Sequence, residues 1–334
     1  MPPQPPDPMR LTTRVPGREI ALAAVIVLMV ATLGLHWPQF ATLSSLRDVL
    51  DDTAILILLA LGQMLVIVTR CIDLSVAANV ALSGMIVAQL EQAHPSLPIP
   101  ILMIFGMLAG SVLGAVNGLL VWRVRVPSIV ATLGTMAIFR GIVYLISAGR
   151  WINSDKLSPQ FQQAIRDTWL GLSMLSWLAI AGVASIALLL RFTDAGRRLY
   201  LAGSNPTAAA YVGVQVGRSQ CNAFILSGML AGLCGYLWVA RFAVAHTDVA
   251  SGFELQVIAA CVIGGVSIRG GSGTVTGVLL GCVFLGVVRN ALPLVGISPF
   301  WQMAVSGLVI VGAAVFNEQA AAEQPRRILE PDAT

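Results

Sequence analysis

Ten apolar stretches, near residues 20–36, 53–69, 74–90, 99–122, 128–148, 172–190, 220–240, 255–268, 273–291 and 299–316, each approach the length of a membrane span. Crossing about 30 Å of hydrocarbon takes roughly 20 residues at 1.5 Å apiece. Lipid offers no partner to a free backbone amide or carbonyl, so such stretches must satisfy themselves as helices. The expected fold is therefore an all-α integral membrane protein, a bundle of about 10 transmembrane helices. Composition leaves no other solvent: 57% of residues are hydrophobic and only 11% charged, against about 25% charged in a soluble domain.

The same pattern divides the chain. Residues 1–18 are a Pro-rich tail, with prolines at 2, 3, 5, 6, 8 and 16 that forbid helix. Residues 19–316 form the transmembrane domain, and 317–334 a polar C-terminal tail. Arg10, Arg14 and Arg18 ahead of an apolar run resemble a signal peptide, but no small-residue cleavage site follows. The run is expected to stay as the first span. An even span count places both ends on one side. With the ends in the cytoplasm, 13 of the 20 Lys plus Arg fall on that side, which the positive-inside rule favours. The expected location is the bacterial inner (plasma) membrane, with multiple passes and both termini cytoplasmic.

A net charge of +4 does not indicate nucleic acid, because the basic residues are scattered along loops and form no stripe. The five cysteines and three histidines are dispersed through or beside apolar runs, and no metal site is expected. There is no G-x-x-x-x-G-K-[ST] loop, and the sole lysine, Lys156, lies in NSDKLS. The chain therefore lacks a P-loop of its own, and any ATP must be bound by a partner subunit. No Ser/His or His/Asp pairing lies within the spans, so an intramembrane enzyme is not expected and no catalytic residue is assigned.

Four features break the membrane pattern. Asp73 sits between LVIVTRCI and LSVAANVAL, where an unpaired carboxylate costs several kcal/mol. It either pairs with Arg70, caps the following span near Ser75 and Asn79, or takes part in the translocation path. The run CVIGGVSIRGGSGTVTG, residues 261–277, gathers Gly264, Gly265, Gly270 and Gly271. It lacks dinucleotide spacing and predicts a tight re-entry turn with close helix packing. Arg140 and Tyr144 lie four apart in one span. They either face the path or form an outward-snorkelling Arg beside a packed aromatic. In the loop 191–220, Asn205 is a good N-cap, Pro206 suits the first helical position and Gly213 a stop. The resulting helix lies on the membrane surface or fits a partner groove. The polar segment 149–171 is expected to carry a short surface helix, either as a landing area for an external partner or as a plain connection.

Three of these stretches, GQMLVIVTRCIDLSVAANVALSGM, AGRRLYLAGSNPTAAAYVGVQV and ELQVIAACVIGGVSIRGGSGTVTGVLLG, resemble in order the permeases of ribose-type ATP-binding-cassette importers. The likeness covers nearly the whole chain. It implies a second permease subunit, the same or paralogous, cytoplasmic ATPase subunits and a periplasmic sugar-binding protein. It also implies alternating access driven by ATP. In that family the segment matching 195–216 contacts the ATPase, and Gly196, Arg197, Gly203, Asn205, Pro206, Ala209 and Gly213 fall within it. Many relatives carry two glycines before Ile-Asp-Leu-Ser, where this chain has Arg70 and Cys71. The Arg-Cys-Ile-Asp-Leu-Ser form is most similar to rhamnose-type permeases, which implies rhamnose or another deoxy-sugar. The competing expectation is a stand-alone secondary transporter, driven by an ion gradient through Asp73.

Overall fold

A computed structural model describes residues 17–294, with Gly296, Trp301, Ala304, Gly307, Leu308 and Gly312. Apart from those isolated positions, the expected tenth span at 299–316 and the tails 1–16 and 317–334 lie outside the described residues. The helices are α1 (Gly17–His36), α2 (Leu43–Val68), α3 (Val76–Ala93), α4 (Ile99–Leu119), α5 (Ser128–Ser147), α6 (Pro159–Gln163), α7 (Met174–Phe192), α8 (Asp194–Ser204), α9 (Pro206–Tyr211), α10 (Val216–Phe242), α11 (Phe253–Ile263) and α12 (Val275–Ala291). A two-residue hairpin, β1 (Thr168–Trp169) with β2 (Leu172–Ser173), precedes α7. The membrane helices alternate in direction between an Arg-rich end, holding Arg70, Arg125, Arg197 and Arg269, and an opposite end holding α6 and the hairpin.

Two helices form the centre. In α2 and α10, 89% and 78% of the apolar window is buried, against 11 to 28% in α1, α4, α5 and α7. The peripheral helices keep apolar side chains such as Val27, Val112, Ile138 and Leu188 exposed, as lipid requires. Glycine sets the close contact between α4 and α10. Gly106, Gly110, Gly114 and Gly118 recur every fourth residue along α4, on one face. They meet Phe224, Gly228 and Gly232 of α10 at backbone distance. A Cβ added at Gly110 would lie 2.1 Å from the Gly228 carbonyl oxygen, and one at Gly232 2.0 Å from that of Gly106. Small residues at such positions let helix backbones pack directly. The five cysteines are buried and free.

Two expectations need correction. The span expected at 255–268 is helical only over 253–263, about 16 Å of rise and half a bilayer. Gly264 and the positive-φ Gly265, Gly270 and Gly271 end the helix and turn the chain. At its start, α10 ends near the opposite end and residues 243–252 run back down as irregular chain. Arg140 donates to the carbonyls of Thr247 and Val249 at 2.8 and 2.7 Å, seven residues or about 10 Å below the end of α5. Non-helical backbone at that depth is tolerated because protein groups satisfy it. The second correction concerns residues 191–220, which hold two helices between α7 and α10: the expected α9 is preceded by the amphipathic α8, whose N-cap Thr193 accepts from the Gly196 amide at 3.1 Å.

Candidate functional site

At the Arg-rich end, three segments far apart in sequence converge. Thr69 to Leu74 break the chain between α2 and α3, and Arg70 adopts φ +65°. A left-handed non-glycine costs roughly 1–2 kcal/mol. Arg70 offsets that cost by donating from Nε to the Gly203 carbonyl at 2.5 Å and from a terminal nitrogen to the Ser204 carbonyl at 2.9 Å. These carbonyls end α8, where cations bind well. The third segment is the glycine turn between α11 and α12. The Gly271 amide donates to the Val68 carbonyl at 2.8 Å, and the Tyr200 hydroxyl of α8 to the Gly273 carbonyl at 2.7 Å. Burial pushes the Tyr200 hydroxyl up to about 12, so it remains a donor. Gly203 seats against this knot so closely that a Cβ would lie 1.7 Å from the Val68 oxygen.

Beyond the knot, α9 projects outward. The Asn205 side chain accepts from the Ala208 amide at 3.0 Å, Pro206 opens the helix, and Gly213 at φ +82° leaves it. Ala209 faces inward, while Tyr211 and Val212 are 88% and 72% exposed. Arg197 pairs with Asp194 on the exposed side of α8.

Asp73 lies inside the bundle, 2% exposed. Among the described residues it forms no ion pair with Arg70, which turns away to α8. Instead Asp73 Oδ1 accepts from the Ser75 amide at 2.9 Å and the Ser75 hydroxyl at 2.7 Å, turning the chain into α3. With its amide oriented to match, Gln63 pairs with both backbone groups of Asp73 at 3.2 Å. The polar line continues inward. Asn117 of α4 donates to Ser75 Oγ at 2.7 Å, and Thr135 of α5 donates to Asn117 Oδ1 at 2.6 Å. Asn79 donates to the Gly110 carbonyl at 3.1 Å, anchoring α3 to the glycine face of α4. Sequence reasoning missed Gln63, Asn117 and Thr135. The signal was available, since Asn117 is a lone amide in the apolar run GSVLGAVNGLL.

Arg140 and Tyr144 do not act together. Arg140 points into the protein to hold the 243–252 segment and does not snorkel outward, whereas Tyr144, one turn further along α5, is 62% exposed. The opposite end carries a cavity of about 560 Å³ lined by Arg47, Asp48, Asp51, Arg166 and Arg241 among others. Asp51 accepts from Ser173 and Ser176, and Arg241 pairs with Asp52. Next to it, α6 seats Phe161 edge-on against Tyr236, with ring centres 5.1 Å apart.

Comparison with known proteins gives a consistent result. The family model described as "Branched-chain amino acid transport system / permease component" matches residues 45–314. Autoinducer 2 import system permease protein LsrC of Escherichia coli (strain K12 / DH10B) is 36% identical over 301 residues, covering 90% of this chain and 87% of that protein. The protein of the same name from Photorhabdus luminescens is 33% identical over 301 residues, covering 90% of each chain, and that of Salmonella typhi is 35% identical over 301 residues, 90% of this chain and 86% of its own. No solved structure gives a significant match. With a family model running from α2 past α12 and relatives similar over nine-tenths of its length, this multi-span membrane protein belongs to the branched-chain amino acid transport system permease family.

Proposed function

We propose that this chain is the membrane-spanning permease of an ATP-binding-cassette importer for a small sugar-like solute of the autoinducer-2 type, working by alternating access. The named relatives support that solute class and give no support to rhamnose. In this reading the Arg-rich end is cytoplasmic, as the positive-inside rule favours, and α8–α9 is the segment an ATPase grips. A binding protein delivers solute to the opposite end, around α6 and the charged cavity beneath it, and a second permease subunit completes the membrane unit.

One observation carries the proposal: α8 is hydrogen-bonded directly to both breaks in the bundle, through Arg70 to the α2–α3 break and through Tyr200 to the α11–α12 turn. Force applied to α8–α9 therefore reaches two discontinuous helices, the elements that can reorient without unfolding a span. The exposed Tyr211 and Val212 supply an apolar tip for a partner groove.

The test is uptake into liposomes holding permease, ATPase and binding protein. Expected is ATP-dependent accumulation of autoinducer-2 that excess rhamnose does not inhibit. Accumulation by the permease alone under an ion gradient would refute the proposal. Asp73 discriminates the same alternatives. Asn satisfies this kind of turn about as well as Asp, so Asp73→Asn is expected to keep at least about half of wild-type uptake. A proton- or ion-coupling carboxylate would instead lose nearly all transport on that change. Asn205→Ala removes the α9 cap at about 1 kcal/mol. It is expected to lower solute moved per ATP hydrolysed roughly fivefold, with no loss of membrane insertion in a fractionation assay.

A further inference from the structure

Beside the knot at the Arg-rich end lies a second feature that coupling does not use. A groove of about 450 Å³ runs between α8 and the first three turns of α10, closed at one end by Gly213 and Val214. Gln215, Arg218, Ser219, Asn222 and Leu226 line it from one stripe of α10, at the spacing of successive helical turns. From α8 come Asp194, Arg198 and Leu199.

The polar groups of this groove lack partners. No hydrogen bond or ion pair engages the side chains of Arg198, Arg218 or Asn222 among the described residues. Asp194, the acid in the lining, is occupied by Arg197. Ser219 is only 7% exposed and lines the groove, yet its hydroxyl also has no partner among the described residues. Gln215, which lines the groove, provides no side-chain cap to α10, so the positive end of that 27-residue helix lies uncapped beside it. Two guanidinium groups, the free hydroxyl of a largely buried serine and an uncapped N-terminus together describe a receptor for a phosphate oxyanion.

The floor decides which phosphate. Leu199 and Leu226 line the groove, and Leu226 stands ten residues, or about 15 Å, along α10 from its first turn. The groove thus passes from charged at its mouth to apolar at depth. At the end of α7, just ahead of α8, Leu188 and Phe192 are exposed apolar side chains. A free phosphate ion fills only the mouth, whereas a phospholipid matches both parts. We propose that this groove binds the phosphate headgroup of an anionic phospholipid, its acyl chains running down toward Leu226. Because the lipid wedges between α8 and α10, it fixes the position of the segment proposed to receive the ATPase. This assignment rests on the proposed function only for that last consequence, since lipid binding itself is read without transport.

The test uses the permease copurified with its ATPase in nanodiscs of pure phosphatidylcholine, or of phosphatidylcholine doped with phosphatidylglycerol. Native mass spectrometry is expected to find phosphatidylglycerol retained on the wild type, and thermal melting to show stabilisation by that lipid. Arg198→Gln with Arg218→Gln, both exposed and so compatible with folding, is expected to weaken retention about 30-fold, near 1 kcal/mol per charge. Arg198→Lys with Arg218→Lys is expected to keep most of it. Equal retention by the Gln pair overturns the proposal. So does full reproduction of the melting shift by inorganic phosphate in neutral nanodiscs, which would assign the groove to a soluble anion. An acidic ATPase side chain occupying the groove would show as loss of ATPase copurification in the Gln pair with no lipid effect, and this also overturns it. Failure of solute uptake leaves these readouts untouched, so the two proposals fail separately.

Discussion

Gly203→Ala is expected to reduce ATP-driven uptake to below about a tenth of the wild-type rate, while the permease still inserts and still copurifies with its ATPase. The added methyl would sit 1.7 Å from the Val68 carbonyl oxygen and 2.8 Å from the Gly271 amide. Both are backbone atoms, and they are the two partners of one hydrogen bond. No rotamer relieves a clash with backbone, so α8 must move away by more than 1 Å to restore a normal contact. That displacement breaks the Arg70 bonds to Gly203 and Ser204, and with them the grip that offsets the left-handed backbone at Arg70. Overpacking of this kind costs about 1–3 kcal/mol, and a loss of 1.4 kcal/mol in the coupled state is already tenfold. The loss falls on coupling because α8 lies at the end of the bundle, outside the helices that hold the membrane core.

Gly213 is the control. Its φ of +82° disfavours other residues, but a Cβ there meets nothing within 4 Å. Gly213→Ala should therefore cost only about 1 kcal/mol of local strain and keep most uptake. The quantity to measure is solute transported per ATP hydrolysed in proteoliposomes. If Gly203→Ala couples as well as Gly213→Ala, the junction between α8 and the α2–α3 break does not transmit force.

Much of this architecture was legible in the residues. Length and hydropathy located eight of the spans among the described residues, because the demand for buried hydrogen bonding in lipid leaves little freedom. The α9 helix was legible to the residue, since Asn205, Pro206 and Gly213 are local signals acting within one turn. Partnerships across the fold were not. Arg70 looked like a mate for Asp73 three residues away, and only the position of α8, 133 residues on, shows where its guanidinium goes. The apolar pattern around Arg140 leaves it facing either the path or the membrane surface. Its partners are carbonyls of an irregular segment that no periodicity marks. The half-span α11 read as a full one, since Val266 and Ile268 extend its hydropathy beyond the glycines that stop it. Asn117 and the four-residue glycine period of α4 were visible in the sequence. Both gain meaning only once α3, α5 and α10 are brought against them.

That glycine period carries the largest expected effect on stability. Gly110→Leu is predicted to destabilise the folded permease by about 3 kcal/mol or more, at or beyond the upper end of overpacking penalties. A Cβ at Gly110 already lies 2.1 Å from the Gly228 oxygen and 2.6 Å from the Gly232 Cα and amide nitrogen. Leucine adds three further carbons where two backbones touch, and the Asn79 bond to the Gly110 carbonyl goes with the contact. Because α10 is the central helix, prising α4 from it also loosens α3, which packs on both. Gly141→Leu on α5 makes the matched comparison, since nothing lies within 4 Å of a Cβ there. Surface changes of that kind stay within about 0.5 kcal/mol. Fluorescence-detected gel filtration after a heat ramp in detergent would read both. Gly110→Leu should show a lower yield and an early melt, and Gly141→Leu neither. Equal melting of the two would mean that the α4–α10 contact does not hold the bundle together. A stable Gly141→Leu protein that no longer transports would instead place the open face of α5 at a working interface, on the solute path or against the second permease subunit.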